Sequence, residues 1–202
     1  AHRVAVAHPD QARLGVDGVL EVSCATADIG TGTYTVMAQV AGQTLGVALD
    51  RIKVKLGDSA LPAAPVEGGS WGAASTGAAV RLACEALGDQ LFKAARQMDG
   101  SPLADAKRED IEFVDGYLEL KSNPQQRVAL MDAMKATGDQ HIEAKETAKP
   151  GIGDMLSMMQ KSRNTHSATF AEVKVDEELG VVRITRIVVA VAAGRIINPK
   201  TA

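Results

Sequence analysis

Residues 18–56 constrain the fold most. GVLEVSCATA (18–27) alternates Val19, Glu21 and Ser23 against Leu20, Val22 and Cys24, the period of a half-buried strand. DIGTGT (28–33) is a glycine turn. After it, apolar residues return at helical spacing, with Val36 and Val40 on one row and Met37, Ala41 and Leu45 on the next; Gly46 stands where a helix stops. RIKVKL (51–56) alternates again, with Ile52, Val54 and Leu56 inward and Arg51, Lys53 and Lys55 toward water. A strand, a turn, a helix and a strand in about 40 residues make a compact βαβ-like unit.

A Gly-, Pro- and Ala-rich connection, GDSALPAAPVEGGSWGAAS (57–75), follows, too long to be a passive loop in a compact domain. It feeds the strongest helix signal of the chain, an apolar stripe of Ala79, Val80, Ala83, Leu87, Leu91, Ala94, Ala95 and Met98, for which Ser75 or Thr76 is the expected cap. Further on, 111–114 and 117–120 read as a hairpin, because Asp115-Gly116 suits a type I′ turn. Residues 125–136 read as a helix closed by Gly138, and 148–165 as a loop with one short helix. A second hairpin is expected from 168–176 and 181–191, whose last strand is nearly continuous Val/Ile and so reads as central in its sheet. The expected fold is α+β, with mixed sheets and helices packed on one face. Two subdomains, 12–105 and 106–202, are expected.

The chain has 202 residues and a net charge of −3, and residues 1–100 carry 8 Lys+Arg against 10 Asp+Glu. Neither half is basic, and aromatics are 3%. Phosphate-tracking stripes and base-stacking platforms are therefore excluded, and with them a nucleic-acid partner. No apolar stretch approaches the roughly 20 residues that cross a bilayer, so no membrane partner is expected. Cys24 and Cys84 lie sixty positions apart without a C-x-x-C, which excludes a cysteine-held cluster. His2, His8, His141 and His166 show no ligand spacing, so no protein-held metal is expected.

Gly30-Thr31-Gly32-Thr33 stands between a strand and a helix, where glycines let backbone approach a pyrophosphate and a helix start supplies amides. The third glycine of the dinucleotide fingerprint is replaced by Thr35, and Asp58 lies far for a ribose partner. An ordinary tight turn and a phosphate site both stand on these residues. A second small-residue loop, Gly68 to Gly77, again enters a helix start. Gly68, Ser70 and Gly72 also match G-x-S-x-G, but LPAAPVE before them cannot form the central strand that a nucleophile elbow needs.

Residues 28–80 and 164–202 together resemble the molybdenum-cofactor-binding large subunit of the xanthine dehydrogenase/aldehyde oxidase family, nearest the bacterial three-subunit aldehyde oxidoreductase branch. The order and separation of the two blocks fit, and the resemblance covers most of 12–202, while 1–11 fit it poorly. The resemblance implies a molybdopterin cytosine dinucleotide carrying molybdenum. Ile29, Gly30, Thr31 and Gly32 match the family's first glycine segment. Ala73, Ala74, Ser75 and Thr76 match the segment beside the metal's ligands and the phosphates. Lys200, Thr201 and Ala202 begin the segment after Gly194-Arg195-Ile196-Ile197-Asn198-Pro199 that continues toward the nucleotide.

The family's general base is a glutamate in a Gly-x-Gly-Glu context, and this sequence contains no Gly-Glu dipeptide. The expectation is thus a fragment of a hydroxylase of aldehydes or N-heterocycles, inactive alone, with no catalytic residue of its own and able to self-associate. Its implied partners are the remainder of the large subunit, a 2Fe–2S subunit and an FAD subunit. The compartment, cytoplasmic or periplasmic, is left open. On the residues alone, the alternative is a nucleotide- or phosphate-binding module without redox chemistry.

Overall fold

The computed structural model describes residues 9–64, 72–148, 160 and 164–200. They fall into two compact units, the first ending with the described residues up to 148 and the second formed by those from 160 onward.

The first unit is built on a four-stranded sheet of β1 (Pro9–Gly15), β2 (Leu20–Cys24), β3 (Ile52–Leu56) and β7 (His141–Thr147), in the order β3-β2-β1-β7. β2 and β3 run parallel with Leu20 beside Ile52 and Cys24 beside Leu56, and the other pairs are antiparallel. The βαβ-like reading is thereby confirmed. Its linking helix α1 (Thr33–Leu45) buries Met37, Ala41 and Leu45 and stops at Gly46, whose φ of 62° is left-handed. A Cβ on Gly46 would lie 2.7 Å from the Val114 nitrogen, so only glycine fits there.

α2 (Gly72–Gln97) buries Ala79, Val80, Ala83, Leu87, Leu91, Ala94 and Ala95, the stripe read from the sequence. Burial of each leucine contributes roughly 1.5–3 kcal/mol. The helices cover one face of the sheet: Ala12, Leu14, Leu20, Val22, Cys24 and Ile142 join one core with α1, α2 and α3 (Leu130–Ala136). The opposite face is polar, with Lys55 Nζ 2.7 Å from Glu21 Oε2 and Gln11 Nε2 donating to Glu143 Oε2 at 2.9 Å. The expected α+β architecture is the one found.

A three-stranded sheet, β4 (Ile111–Val114), β5 (Tyr117–Leu120) and β6 (Asn123–Ala129), completes this unit. Its first turn has positive φ at both Asp115 (47°) and Gly116 (80°), as a type I′ turn requires. The helix expected over 125–136 is half wrong. Residues up to Ala129 pair with β5, and only Leu130–Ala136 coil, because cross-strand partners at Leu118 and Glu119 outweigh local helical spacing.

In the second unit, β8 (His166–Asp176) and β9 (Val181–Ala192) form a two-stranded ribbon. The hairpin is as expected, but β9 is not central: among the described residues its sheet has two strands, and both are exposed throughout. Thr185 is the extra residue of a bulge, and its hydroxyl donates to Glu172 Oε1 at 2.8 Å. The expected loop over 148–165, with Met155, Met158 and Met159, lies almost wholly outside the described residues.

Candidate functional site

β2 and β3 are parallel, so the loops leaving their carboxyl ends emerge at one end of the sheet and lead into α1 and α2. Ligand crevices of α/β sheets form at such ends. The two loops are tied together: Ala25 N donates to Pro62 O at 2.7 Å, and Gly57 N donates to Thr26 O at 2.9 Å. Beyond them the two helices pack side by side, and a Cβ on Gly77 would meet Val40 Cγ2 at 3.9 Å. The structure thus brings two of the three predicted segments to one place.

In the first segment, Gly30 and Gly32 have φ of 96° and 84°, and a Cβ on either would meet nothing within 4 Å. Their amides are already satisfied. Asp28 Oδ1 accepts from Gly30 N at 2.8 Å and Gly32 N at 3.3 Å, and Oδ2 accepts from Tyr34 N at 3.4 Å. The Gly30 amide, followed by lesser contributions from Tyr34, Gly32 and Thr33, holds this carboxyl below its ordinary pKa despite some opposing desolvation. Asp28 therefore places a carboxylate where the sequence suggested a phosphate, and its charge suits the helix start. What the turn offers is an open shelf: Ile29 is 77% exposed, Thr31 is exposed, and Thr31 Oγ1 lies 3.5 Å from Thr33 Oγ1. Asp58 accepts from Ala60 N at 2.8 Å, so its carboxylate closes its own turn.

In the second segment Ala73 and Ala74 are exposed and Ser75 half-buried. Neither Ser75 nor Thr76 is the cap expected of it, because α2 begins at Gly72 and both lie inside its first two turns. Ser75 Oγ donates back to Gly72 O at 3.5 Å. Thr76 is 2% exposed, and its Oγ1 has no hydrogen-bond partner among the described residues. A buried, unpartnered hydroxyl at a helix start costs about 1–3 kcal/mol unless something outside the chain bonds it. The first-turn amides of α2 have no acceptors inside their helix. Small residues, amides without intrahelical acceptors and the buried Thr76 hydroxyl fit a phosphate-bearing group better than the Asp28 turn does.

Lys200 stands in the second unit and donates its N–H to Asn198 Oδ1 at 3.1 Å; Thr201 and Ala202 lie outside the described residues, as do Gly68 and Ser70. Among the described residues no cluster of His, Cys, Asp and Glu could hold a metal ion, and no helix is long and apolar enough to cross a membrane. A cavity of about 750 Å³, lined among others by Val16, Gly46, Arg51, Phe113, Met131 and Lys135, sits at the other end of the sheet, away from these loops. Two buried polar groups carry no clear sequence signal of a site: Gln39 in the middle of α1, whose Oε1 has no partner among the described residues, and Asp10 on β1, 1% exposed. Asp10 is the only ionisable group among the inward positions Asp10, Ala12 and Leu14.

The profile of the molybdopterin cofactor-binding domain family matches residues 4–202, and the chain belongs to that family of cofactor-binding domains. The match takes in residues 4–11, part of the stretch expected to fit the family poorly. Among its relatives, the Escherichia coli K12 protein named aldehyde oxidoreductase molybdenum-binding subunit PaoC is 36% identical over 186 residues, covering 92% of this chain and 23% of its own length. Subunit gamma of the 6-hydroxypseudooxynicotine dehydrogenase complex of Paenarthrobacter nicotinovorans is 28% identical, covering 91% and 22%. In fold, the chain matches quinoline 2-oxidoreductase from Pseudomonas putida 86 with a TM-score of 0.75 at 22% identity, over 96% of this chain and 24% of that one. The chain therefore spans about a quarter of the length of its relatives.

Proposed function

We propose that this chain is one wall of the cofactor site in the large subunit of a molybdenum hydroxylase, acting on aldehydes or N-heterocycles. The observation that carries this reading is the convergence of the two small-residue helix starts at one end of the sheet, with Thr76 Oγ1 buried there and unpartnered. The wall comprises Ile29, Gly30, Thr31 and Gly32, then Ala73, Ala74, Ser75 and Thr76; Lys200, Thr201 and Ala202 are assigned to the same cofactor on the family resemblance of their segment alone. The cofactor is a molybdopterin cytosine dinucleotide, which when bound supplies the metal centre at which oxygen derived from water is transferred to substrate.

The chain's own residues bind and orient. The first-turn amides of α2 and Thr76 Oγ1 donate to phosphate oxygens. Gly30 and Gly32 leave the shelf free of side chains, and Thr31 and Ser75 supply hydroxyls at its rim. Asp28 holds the turn rigid and, being negative, keeps the pyrophosphate toward α2. No residue of this chain is assigned the proton transfer, so the chain alone is catalytically silent. Its partners are the remainder of the large subunit together with 2Fe–2S and FAD subunits.

The test is made on the complete large subunit with its partners. Molybdenum is measured by mass spectrometry and the nucleotide released by acid is identified by chromatography. One molybdenum and one cytidine monophosphate per subunit are expected, with the molybdenum content lowered severalfold by Thr76→Val. Aldehyde oxidation by the 202-residue chain alone, or a fully loaded Thr76→Val subunit, would overturn the reading.

A further inference from the structure

Asp10 is the one buried carboxylate among the described residues of the first unit, and no part of the proposed site uses it. It is 1% exposed, on the inward face of β1 with Ala12 and Leu14. The registers place Cys24 across from it on β2, where Gln11 pairs with Ser23, and Glu146 directly across on β7. Neither carboxylate oxygen accepts a hydrogen bond from an N–H or O–H among the described residues; the Cys24 thiol, a weak donor, is its polar neighbour. Cys24 ends β2, and two residues later Thr26 carries the bond that ties the two glycine-bearing loops together. The carboxyl is therefore buried at the root of the site, on β1 beside the end of β2 from which the Asp28 turn springs.

We propose that Asp10 is a proton-operated latch under the cofactor loops: neutral, it lies closed against Cys24, and charged, it must reach water and opens this end of the sheet. The consequence for cofactor grip rests on the function proposed above, but the latch itself does not.

The surroundings favour the neutral form. Across β7 the register partner is Glu146, an exposed group of like charge. On β2 it is the Cys24 thiol. The buried face of α2 presents Thr76, Ala79, Val80, Ala83 and Leu87, and its titratable member Cys84 is itself pushed up to about 12, first by burial and then by Glu85. Among the described residues, no Lys, Arg or His stands at an inward position of these neighbouring strands or on the buried face of α2. Burial accordingly raises the Asp10 carboxyl to about 7, with the Cys24 thiol pulling modestly the other way.

Linkage fixes the shape of the response. Between the ordinary aspartate value of 3.8 and about 7, the closed state holds a proton that the open state releases. Opening therefore grows roughly tenfold per pH unit through this interval and levels off above it. The latch closes toward acid and loosens toward neutrality.

Hydrogen exchange of the backbone amides of residues 20–34 in the 202-residue chain, corrected for the intrinsic pH dependence of exchange, reads this directly and needs no cofactor. The expected profile is a loss of protection of about tenfold per unit from pH 5 to 6.5 and a plateau above 7. In Asp10→Asn the profile is expected to be flat. Should that variant not fold, Cys24→Ala serves: removing the thiol donor moves the plateau to higher pH. Carbon NMR of the Asp10 carboxyl gives its midpoint independently. A midpoint near 4, a flat profile in the unsubstituted chain, or an unchanged slope in Asp10→Asn overturns the latch. An unmoved plateau in Cys24→Ala overturns the pairing on which it is built. A latch that titrates as expected in a subunit whose molybdenum is indifferent to Thr76 would leave this inference standing and remove the functional one.

Discussion

Thr76→Val separates folding from binding because the two should move in opposite directions. Valine has the shape of threonine without the hydroxyl, and the two have nearly the same helix propensity. Thr76 Oγ1 is buried and bonds to nothing among the described residues, so the native state carries the cost of taking a hydroxyl out of water with no return. That cost is about 1–3 kcal/mol, and its removal should stabilise the chain by a similar amount. For a chain of this size, each kcal/mol raises Tm by roughly 2–4 °C. Urea unfolding followed by circular dichroism reads the stability. In the complete subunit the same change removes a donor to the cofactor, worth about 0.5–1.5 kcal/mol, or roughly two- to twelvefold in retention. Thr76→Ser is the control: it keeps the hydroxyl and loses only the methyl, so it should weaken folding and spare retention. Loss of 1 kcal/mol or more of stability in Thr76→Val would show that the hydroxyl has a partner in the native chain, and the reasoning would fail.

Asp28→Ala removes the acceptor for the amides of Gly30, Gly32 and Tyr34 and should cost about 0.5–2 kcal/mol, read as lost helicity and a lower urea midpoint. Because those amides depress the Asp28 carboxyl, its contribution is present above the ordinary aspartate value and is lost as pH falls through the folded one; acid unfolding should begin at higher pH in the variant. Asp10 has the opposite sign. Its raised value means that stability falls from pH 4 to 7 by at most about 4 kcal/mol, the difference between 3.8 and about 7 at 1.36 kcal/mol per unit, and Asp10→Val should abolish that slope in urea titrations at several pH values. Gly46→Ala should cost more than about 2 kcal/mol, since a left-handed residue must also place a Cβ 2.7–2.9 Å from the backbone of Phe113 and Val114; a stability within 0.5 kcal/mol of the parent on urea unfolding, the scale of an ordinary surface substitution, would refute that packing.

The readable parts of this protein are those whose information is local. The α2 stripe, the Gly46 stop and the Asp115-Gly116 turn each depend on residues within one or two turns of chain, and each was found where its pattern put it. β1 and β7 carry no comparable signature. Gln11 pairs with Lys145, 134 positions away, and PDQARLG becomes a strand only because two neighbours supply hydrogen bonds to both of its edges. Asn123–Ala129 shows the same effect, since its β5 partner decides its state against helical spacing.

The candidate site divides along the same line. The sequence determined that two small-residue segments would enter two helices, because glycine and alanine are the residues that let backbone lie open. Only the tertiary structure decided what those segments do for one another. Parallel pairing of β2 with β3 brought both helix starts to one end. Asp28 turned onto the amides meant for an anion. Packing drove Thr76 inward, away from the capping role its residue type suggested, and sealed Asp10 beneath the loops. The reason is that burial is a property of the whole packed sheet. A hydroxyl or a carboxyl is cheap in water and costly in a core, and no stretch of sequence says which of the two awaits it.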